Sequence, residues 1–310
     1  NINVIYHNSN CGILCFKVLQ LNCINWLMKA IIFSLLGWMF LPVMDGFAKY
    51  LSEDLPILQI TWARYFFTVA FVFPIMFFFY KKQLVWSDKP KLQILRGLIL
   101  LSANICFFYA ISIISLAKAL TLAFIAPLIV TAFSPILLGE KVGFRRWTAV
   151  AVGFIGSLVV IRPGFLELNL ASLAALGTGF FYGFYLIITR KLSTSDNPLL
   201  TLLITGMVGA VLVSAVIPFY WVKPTLNQWS LMAGIGVFAC IGHLFLILSL
   251  KYADASKLAP LGYAEIIPNV IIGYYFFNDL PDNWTYLGLF IIVLSGLYIS
   301  RREYYLNKLN

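Results

Sequence analysis

One carboxylate interrupts a long apolar stretch near the end of the chain. In the segment GYAEIIPNV (262–270), Glu265 is followed within about a turn by Pro268 and Asn269. If the stretch spans a membrane, an ionised side chain there costs about 2.5–3.5 kcal/mol on insertion scales, so a functional role is expected. The position of Glu265 predicts a site for a proton or for the cationic group of a ligand. The alternative is a structural partner for a cation or an amide on another helix.

Four further charged residues are candidates for a gate. Asp45 and Lys49 are one helical turn apart and could form a simple ion pair. Because they lie near the expected outer end of the first apolar stretch, they could also form an outer gate that opens and closes by exchanging partners, with Arg64 as the third member. Lys118 begins a later apolar stretch, from which a long side chain can also extend to a membrane surface. The gate role is therefore predicted beside these structural alternatives.

Polar side chains in the middle of apolar stretches extend the candidate site. Asn104 and His243 are of this kind, and imidazole titrates near neutral pH, although a hydrogen-bonded core histidine is the alternative. Tyr182, Tyr185 and Tyr263 lie away from the expected membrane surfaces, so their hydroxyls need partners. The predicted substrate-binding or coupling residues are Glu265, His243, Asn104, Tyr263, Asn269 and Tyr182. Aromatic walls with few charges suit an amphipathic organic solute better than an inorganic ion.

Metal, cofactor and catalytic motifs are incomplete in the sequence. His7, Cys11 and Cys15 have a spacing that could bind a metal on a helix, but no second CxxC or HxxxH completes the set. HExxH and GxSxG are also absent. We therefore expect no metal site, no cofactor and no enzymatic activity. The net charge of +10 does not indicate nucleic acid, because the basic residues are spread over short gaps between apolar stretches.

The elements that must position these residues are membrane-spanning helices. The chain is 61% hydrophobic and 11% charged, whereas soluble domains carry about 25% charged residues. A bilayer-spanning helix needs about 20 mostly apolar residues. Ten such segments can be marked, at roughly 29–48, 57–80, 92–113, 117–138, 147–162, 170–189, 199–221, 229–250, 256–278 and 284–300. The chain is therefore predicted to be an all-α integral membrane protein with ten transmembrane helices.

Basic residues favour one side of this ten-span topology. Ten spans place both termini on the same side, and most of the 22 Lys and Arg residues then fall on that side. They include Arg96, which is assigned to the loop between the second and third spans. Loops that stay in the cytoplasm carry an excess of Lys and Arg, so both termini are predicted to be cytoplasmic.

Landmark residues recur at a shift of 139 positions. The matched pairs include Gly97 with Gly236, Asn104 with His243, Lys118 with Lys257, and Glu140 with Asp279. Because each unit has five spans, the second copy must enter the membrane from the opposite side. The chain is therefore predicted to contain two inverted five-helix repeats, a recurrent design of secondary transporters.

The predicted boundaries follow from this repeat. The first five-helix unit covers residues 28–164 and the second covers residues 165–303, with a cytoplasmic tail at 304–310. Residues 1–27 show no clear hydrophobic period, and Met28 followed by Lys29 resembles a natural start. We predict that residues 1–27 are a non-native or disordered extension.

Two long stretches resemble the EamA domains of the drug/metabolite transporter superfamily. The first is LTLAFIAPLIVTAFSPILLGEKVGFRRWTAVAVGFIGSLVVIRPG (120–164), with a mid-span Pro127, Leu-Gly-Glu at 138–140 and the pair Arg146-Trp147. The second is LKYADASKLAPLGYAEIIPNVIIGYYFFNDLPDNWTYLGLFIIVLSGLYISRRE (250–303), which is similar to the same region of a second EamA domain. The two predicted units are thus each similar to one EamA repeat.

The resemblance implies ten helices around a central cavity and proton-driven or exchange-driven movement of small metabolites. A secondary transporter of an amino-acid-like, nucleotide-like or amphipathic cationic solute is expected, in a bacterial-type inner membrane. A channel or a non-transporting membrane scaffold is the alternative. The expected partners are a small-molecule substrate and membrane lipid, and no nucleic-acid partner is expected. The sequence does not decide between a monomer and a homodimer.

Overall fold

The computed structural model describes residues 9–81, 87–161, 169–193, 195–278 and 283–298, the last range with gaps at 285, 289, 292–293 and 296–297. Every regular element in these residues is helical. Within them, seven helical segments are long and apolar enough to cross a membrane: Trp26–Leu51, Ile57–Phe79, Pro90–Ile111, Leu116–Leu138, Leu170–Ser193, Pro198–Phe219 and Leu226–Tyr252. The predicted all-α membrane class is therefore confirmed for the described part of the chain.

The helices follow one another with short connections. They are α1 (Ser9–Leu51), α2 (Ile57–Phe79), α3 (Pro90–Ile111), α4 (Leu116–Ala123), α5 (Ile125–Leu138), α6 (Phe144–Ile161), α7 (Leu170–Ser193), α8 (Pro198–Val216), α9 (Leu226–Tyr252), α10 (Ala255–Leu258) and α11 (Ile266–Phe277). A 3₁₀ turn, Ile217–Phe219, follows α8, and a 3₁₀ segment, Ala259–Glu265, joins α10 to α11. The described positions of 283–298 are also helical.

Side-chain oxygens fix the starts of several helices. Ser115 accepts a hydrogen bond at the start of α4, and Asn197 accepts one from the Leu199 N–H, at 2.8 Å, at the start of α8. Thr225 and Gln228 form a capping box at the start of α9. These oxygens satisfy backbone N–H groups that have no partner within the helix.

Two helices end at a residue in the left-handed conformation. Gly139 has φ 69° at the end of α5, and Asn278 has φ 52° at the end of α11. Glycine and asparagine are the residues that tolerate this conformation best. The two residues are 139 positions apart, which is the shift at which other landmarks recur.

Two of the predicted spans are interrupted. The stretch 117–138 contains α4 and α5, with a break at Phe124. Pro127 contributes to this break because it has no N–H to donate to the carbonyl of Ala123. The stretch 256–278 contains α10, the 3₁₀ segment and α11, and Pro268 acts there in the same way. Glu265 is therefore the last residue of a 3₁₀ segment and not the middle of an α-helix.

Helices from the two halves of the chain pack against each other. α1 packs mainly on α9, α3 on α7, and α2 on α8. The α1–α9 contact requires glycine, because a Cβ on Gly37 would lie 2.8 Å from Leu246 Cδ2 and 3.0 Å from the carbonyl oxygen of Gly242. This packing brings α1, α3, α7 and α9 together in the middle of the molecule.

The assignment of Arg96 to a loop was wrong. Arg96 lies in the second turn of α3, which starts at Pro90, and its side chain is fully buried. Proline is favoured in the first turn of a helix, so the helix starts before Arg96 and includes it.

The first helix reaches further toward the N-terminus than the predicted first span. α1 begins at Ser9, so the helical backbone continues through residues 9–27. That residues 1–27 are a non-native extension stays a prediction.

Candidate functional site

A cavity lies in the middle of the helix bundle. It is bounded by α1, α3, α7 and α9 and by the interrupted stretches α4–α5 and α10–α11. Its volume is about 90 Å³, several times the ~10–15 Å³ that one water molecule needs. Its polar lining residues are Ser34, Trp38, Asp45, Asn104, Thr178, Tyr182, His243, Ser249 and Glu265. A mostly apolar wall with a few polar groups is typical of small-molecule sites.

Two carboxylates face this cavity. Glu265 reaches it from the end of the 3₁₀ segment and Asp45 from α1, and the two residues are 9% and 3% exposed. They are near enough to repel each other when both are charged. Neither carboxylate has a hydrogen bond or a salt bridge to another described residue, and Asp45 Oδ1 is completely buried. A buried carboxylate without a partner is costly, so both are available to a proton or a ligand.

Two aromatic side chains on the cavity wall also have unused polar atoms. The indole Nε1 of Trp38 and the hydroxyl of Tyr182 are buried and have no hydrogen-bond partner among the described residues. Their rings lie 6.0 Å apart, centroid to centroid. The wall therefore offers a donor from Trp38 and a donor or acceptor from Tyr182.

A hydrogen-bonded chain of side chains lies behind the cavity. Arg64 Nη2 lies 2.6 Å from His243 Nε2, and His243 Nδ1 lies 3.0 Å from the Tyr185 hydroxyl. Because a guanidinium can only donate, Nε2 must accept and Nδ1 carries the proton of a neutral ring. Both ring nitrogens of His243 are thus occupied, and the ring connects Arg64 to Tyr185.

Arg96 completes this chain from α3. Its Nη2 donates to the Tyr185 hydroxyl at 2.8 Å, its Nε donates to Thr189 Oγ1 at 2.7 Å, and its Nη1 donates to Thr205. The guanidinium also lies over the Tyr185 ring, 4.5 Å from its centroid. Arg96 forms no salt bridge with a described carboxylate. Its positive charge is instead stabilised by hydroxyl groups of α7 and α8 and by the Tyr185 ring.

The remaining predicted binding residues divide into two groups. Asn104 lines the cavity and donates to the Tyr65 hydroxyl at 2.8 Å. Tyr263 and Asn269 do not line it. The Tyr263 hydroxyl instead donates to the carbonyl of Val150 at 3.1 Å, and Asn269 Nδ2 donates to the backbone carbonyl of Glu265 at 3.0 Å.

The four predicted gate residues do not form one cluster. Asp45 lines the cavity, and Arg64 lies behind it, close enough to attract the Asp45 carboxylate. Lys49 donates to the backbone carbonyls of Ile111 and Ile114, at 3.3 and 3.2 Å. Lys118 is exposed near the start of α4. The structure therefore brings together Asp45 and Arg64 but not all four residues.

A cluster of charged groups joins the ends of α5, α7 and α9 to α10; we call it the clasp. Glu140 accepts hydrogen bonds from the backbone N–H groups of Ala255 and Ser256, both at 2.9 Å. Arg190 lies 3.8 Å from Glu140 and 3.2 Å from Asp254. The clasp thus fixes α10, which supplies Ala255 to the cavity wall.

The charge state of the clasp depends on Asp254. Burial acts to raise the pKa of its carboxyl, but the hydrogen bond and charge of Lys257, at 2.8 Å, and then the charge of Arg190 outweigh it. The pKa of Asp254 is therefore lowered, and the carboxylate is ionised at neutral pH.

The described residues contain no group of His, Cys, Asp and Glu that could hold a metal ion. The candidate set His7, Cys11 and Cys15 lies outside the described residues or their described side chains.

Sequence reasoning missed part of this site. Arg96, Tyr65 and the cavity role of Trp38 were not predicted, and Asp45 was expected at an outer end. The useful signal was the mid-helix tyrosine: Tyr185 needed a polar partner, and Arg96 on another helix provides it.

Comparison with known proteins places the chain among transporters. It is 27% identical to an S-adenosylmethionine uptake transporter of Rickettsia prowazekii, covering 91% of this chain and 94% of the relative. It is 26% identical to a riboflavin transporter of Vibrio cholerae, and the alignment covers 84% of this chain and 89% of that relative. It is 27% identical to the pseudopaline exporter CntI of Pseudomonas aeruginosa, and the alignment covers 90% of this chain and 99% of that relative.

One crystal structure has a similar fold, with a TM-score of 0.70 at 17% identity, covering 91% of this chain and 98% of the other. Two successive regions of the sequence, residues 28–162 and 169–301, each match the sequence model of the EamA-like transporter family. Together these regions make up most of the 310 residues. The chain therefore belongs to the EamA-like transporter family.

Proposed function

We propose that this chain is a secondary transporter that moves a small organic metabolite across a membrane by alternating access. The observation that carries the proposal is the central cavity, whose aromatic and apolar wall includes two carboxylates that have no hydrogen bond or salt bridge to another described residue. The wall residues from α1, α3, α4 and α5 lie in the first family match, and those from α7, α9, α10 and the 3₁₀ segment Ala259–Glu265 lie in the second. A site between two repeats can be exposed to either side when one repeat moves against the other.

The relatives support an organic substrate. Their names give S-adenosylmethionine, riboflavin and pseudopaline as the transported compounds. Import and export both occur in these names, so direction is not inherited from them. For this chain we propose an amino-acid-like, nucleotide-like or amphipathic cationic metabolite.

Ten spans arranged as two inverted repeats are the architecture we propose. The two left-handed helix ends, Gly139 and Asn278, support it because they recur at the shift of the sequence repeat. The packing supports it as well. Exchanging the first three spans of each half converts the α1–α9 contact into the α7–α3 contact, and both are extensive. Under that exchange the α2–α8 contact is converted into itself.

The clasp is proposed to close one end of the pathway. It lies directly beside the cavity, because Ala255 belongs both to the α10 start that Glu140 holds and to the cavity wall. Breaking the hydrogen bonds of Glu140 would free α10 to move away. The charged residues of the clasp are two acids, Glu140 and Asp254, and two bases, Arg190 and Lys257, and they lie where the charge bias predicts the cytoplasm.

Glu265 is the proposed coupling residue. Its carboxylate is buried, faces the cavity and has no hydrogen-bond partner among the residues that the structure describes, as a site that alternately binds and releases a proton requires. Asp45 and Arg64 are proposed to change their contact as the transporter changes state. Arg64 now donates to His243, and its Nε has no hydrogen-bond partner among the described residues, so it can turn toward Asp45.

The proposed location is a bacterial-type inner membrane with both termini in the cytoplasm. Membrane lipid surrounds the bundle, and many large apolar side chains are exposed on its outside, including Phe78, Phe79 and Phe276. We propose no nucleic-acid partner and no catalytic role. A homodimer is compatible with this arrangement.

Uptake into proteoliposomes tests the proposed function. Purified protein would be assayed with radiolabelled S-adenosylmethionine, riboflavin and a mixture of amino acids, with protein-free liposomes as the control. We expect saturable uptake of at least one solute and its exchange against the unlabelled compound. Ala126→Trp should abolish uptake because Ala126 lines the cavity and indole would fill it.

The same liposomes test the alternative functions. A channel would carry an ohmic current that does not saturate with solute, and a scaffold would carry no solute at all. Either result, obtained with folded monodisperse protein, contradicts the transporter proposal.

A further inference from the structure

We infer that the cavity selects an organic cation that carries at least one N–H donor, and that Asp45 determines this specificity. The inference rests on the proposed function, because it concerns the solute that the proposed transport site accepts. It narrows the three solute classes to those that present a protonated amine or a similar cationic donor.

The unused polar atoms of the cavity define the complementary ligand. Asp45 Oδ1 is a buried acceptor, Trp38 Nε1 is a buried donor, and the Tyr182 hydroxyl serves as either; none of the three has a partner among the described residues. Buried polar atoms in proteins are nearly always satisfied, so three unused ones on one wall point to a ligand. Asp45 requires an N–H or O–H donor from that ligand, and Trp38 requires an acceptor.

The charges on the cavity wall determine whether the preferred ligand is a cation or an anion. Among the described lining residues, Asp45 and Glu265 are acidic, and neither Lys nor Arg is present. His243 also lines the cavity, but its two nitrogens are occupied by Arg64 and Tyr185. The wall thus attracts a cation, which relieves the repulsion between the two carboxylates, and it repels an anion.

The arginines behind the wall do not provide an anion site. Arg64 is 2% exposed and Arg96 is fully buried, so neither guanidinium opens to the cavity. Arg64 donates to His243 and lies over the Tyr65 ring, 4.6 Å from its centroid. In this structure the Arg64 guanidinium is thus engaged by His243 and Tyr65, and Arg64 is not among the residues that line the cavity.

Aromatic rings complete the recognition of a cation. Trp38 and Tyr182 line the same cavity as the two carboxylates, and Phe107 and Phe124 line it as well. Ring faces attract cations, and they also cover the apolar part of an organic ligand. The predicted ligand is therefore a cation attached to an apolar or aromatic group.

A series of probes that share one ring system tests the inference. Binding to the protein in nanodiscs would be measured by ligand-observed NMR for 2-phenylethylamine, its N,N,N-trimethyl derivative, 2-phenylethanol and 3-phenylpropanoate, with empty nanodiscs as the reference. We expect the primary amine to bind at least about tenfold more tightly than the alcohol and the carboxylate, because it alone makes a charge-assisted hydrogen bond to Asp45. The trimethyl derivative keeps the charge but has no N–H, so it should bind more weakly than the amine.

Two variants assign the selectivity to Asp45. Asp45→Asn should remove the preference for the amine over the alcohol. Asp54 is an exposed acid that does not line the cavity, so Asp54→Asn should retain the preference for the amine. If Asp45 only balanced the charge of Arg64, Asp45→Asn would lower thermal stability and leave the amine-to-alcohol ratio unchanged.

Three results would overturn the inference: no binding of the amine, equal or tighter binding of the alcohol, carboxylate or trimethyl derivative, or a ratio that Asp45→Asn does not change. These results are distinct from failure of the proposed function. Saturable uptake of a neutral or anionic solute, without amine binding, would leave transport standing and remove the cation specificity. Absence of any uptake would remove the transport proposal whatever the probes do.

Discussion

Removal of the Glu140 carboxylate should open the cavity at the clasp. Glu140 accepts two backbone N–H groups of α10, from Ala255 and Ser256, at 2.9 Å each. A hydrogen bond to a charged group contributes about 1.5–3 kcal/mol net, so the two together hold α10 by roughly 3–6 kcal/mol. The 3.8 Å contact with Arg190 is partly exposed and adds at most about 1 kcal/mol.

This energy sets the size of the expected effect. If the clasp breaks when the transporter changes state, Glu140→Ala removes at least about 3 kcal/mol from the closed state alone. Since about 1.4 kcal/mol corresponds to a factor of ten, the ratio of closed to open molecules should fall roughly 100-fold. If the open state keeps part of these contacts, the change is smaller in proportion.

Labelling of a cysteine inside the cavity measures this ratio. Ser249 lines the cavity and is almost fully buried, so Ser249→Cys would report on access in a protein whose five native cysteines are replaced. In detergent, a polar maleimide should react about 10- to 100-fold faster after Glu140→Ala. Glu53→Gln, at an exposed acid, is the matched control. Equal labelling rates in the Glu140→Ala protein and its parent would refute the role of the clasp.

Two further predictions concern packing and pH. A Cβ on Gly236 would lie 2.3 Å from Phe67 Cβ and 3.0 Å from its carbonyl carbon, whereas one on Gly143 would meet nothing within 4 Å. Gly236→Ala should therefore destabilise the protein by about 1–3 kcal/mol in thermal or denaturant unfolding, and Gly143→Ala should stay within about 0.5 kcal/mol; similar losses in both would contradict this packing. Because the pKa of Asp254 is lowered in the folded state, its stabilising effect is present above its ordinary pKa of 3.8 and is lost as the pH falls through the lowered value. Labelling of Ser249→Cys with a reagent of pH-independent reactivity should thus accelerate in that acid range, and Asp254→Asn should make that acceleration smaller; an unchanged acceleration would show that other groups cause it.

The general fold could be predicted because its signal is local. Runs of about 20 apolar residues and the helix-start residues Pro90 and Pro198 lie within single segments of sequence. The interruptions of the fourth and ninth spans also have a local cause in Pro127 and Pro268. Their exact form does not, because tertiary packing decides whether a proline bends a helix or ends it.

The site was predicted less completely because its contacts join distant parts of the chain. Arg96 and Tyr185 are 89 positions apart, and Arg64 and His243 are 179 positions apart. Nothing near Arg96 in the sequence shows that hydroxyl groups surround it, so it was assigned to a loop. Polar residues within apolar stretches were a useful guide, as Glu265 and His243 show, but they did not show which of them share a cavity.

Tyr263 and Asn269 illustrate the same limit close to Glu265. Asn269 was predicted because it follows Glu265 within about a turn, and Tyr263 because its hydroxyl lies away from the expected membrane surfaces and needs a partner. The 3₁₀ segment directs Tyr263 to the carbonyl of Val150, and Asn269 folds back onto the backbone of Glu265. Local spacing predicts which residues share a helix face only where the helix is regular.

Proton-driven uptake by Glu265→Gln tests the role of the cavity most directly. Proteoliposomes would be loaded with a pH gradient, and uptake of the transported solute would be compared with exchange of the same solute without a gradient. Glutamine keeps the size of the side chain but cannot bind or release a proton. If Glu265 is the coupling residue, the variant should lose gradient-driven uptake and retain exchange, and Glu53→Gln should retain both. Unchanged gradient-driven uptake by Glu265→Gln would contradict the proposed coupling role.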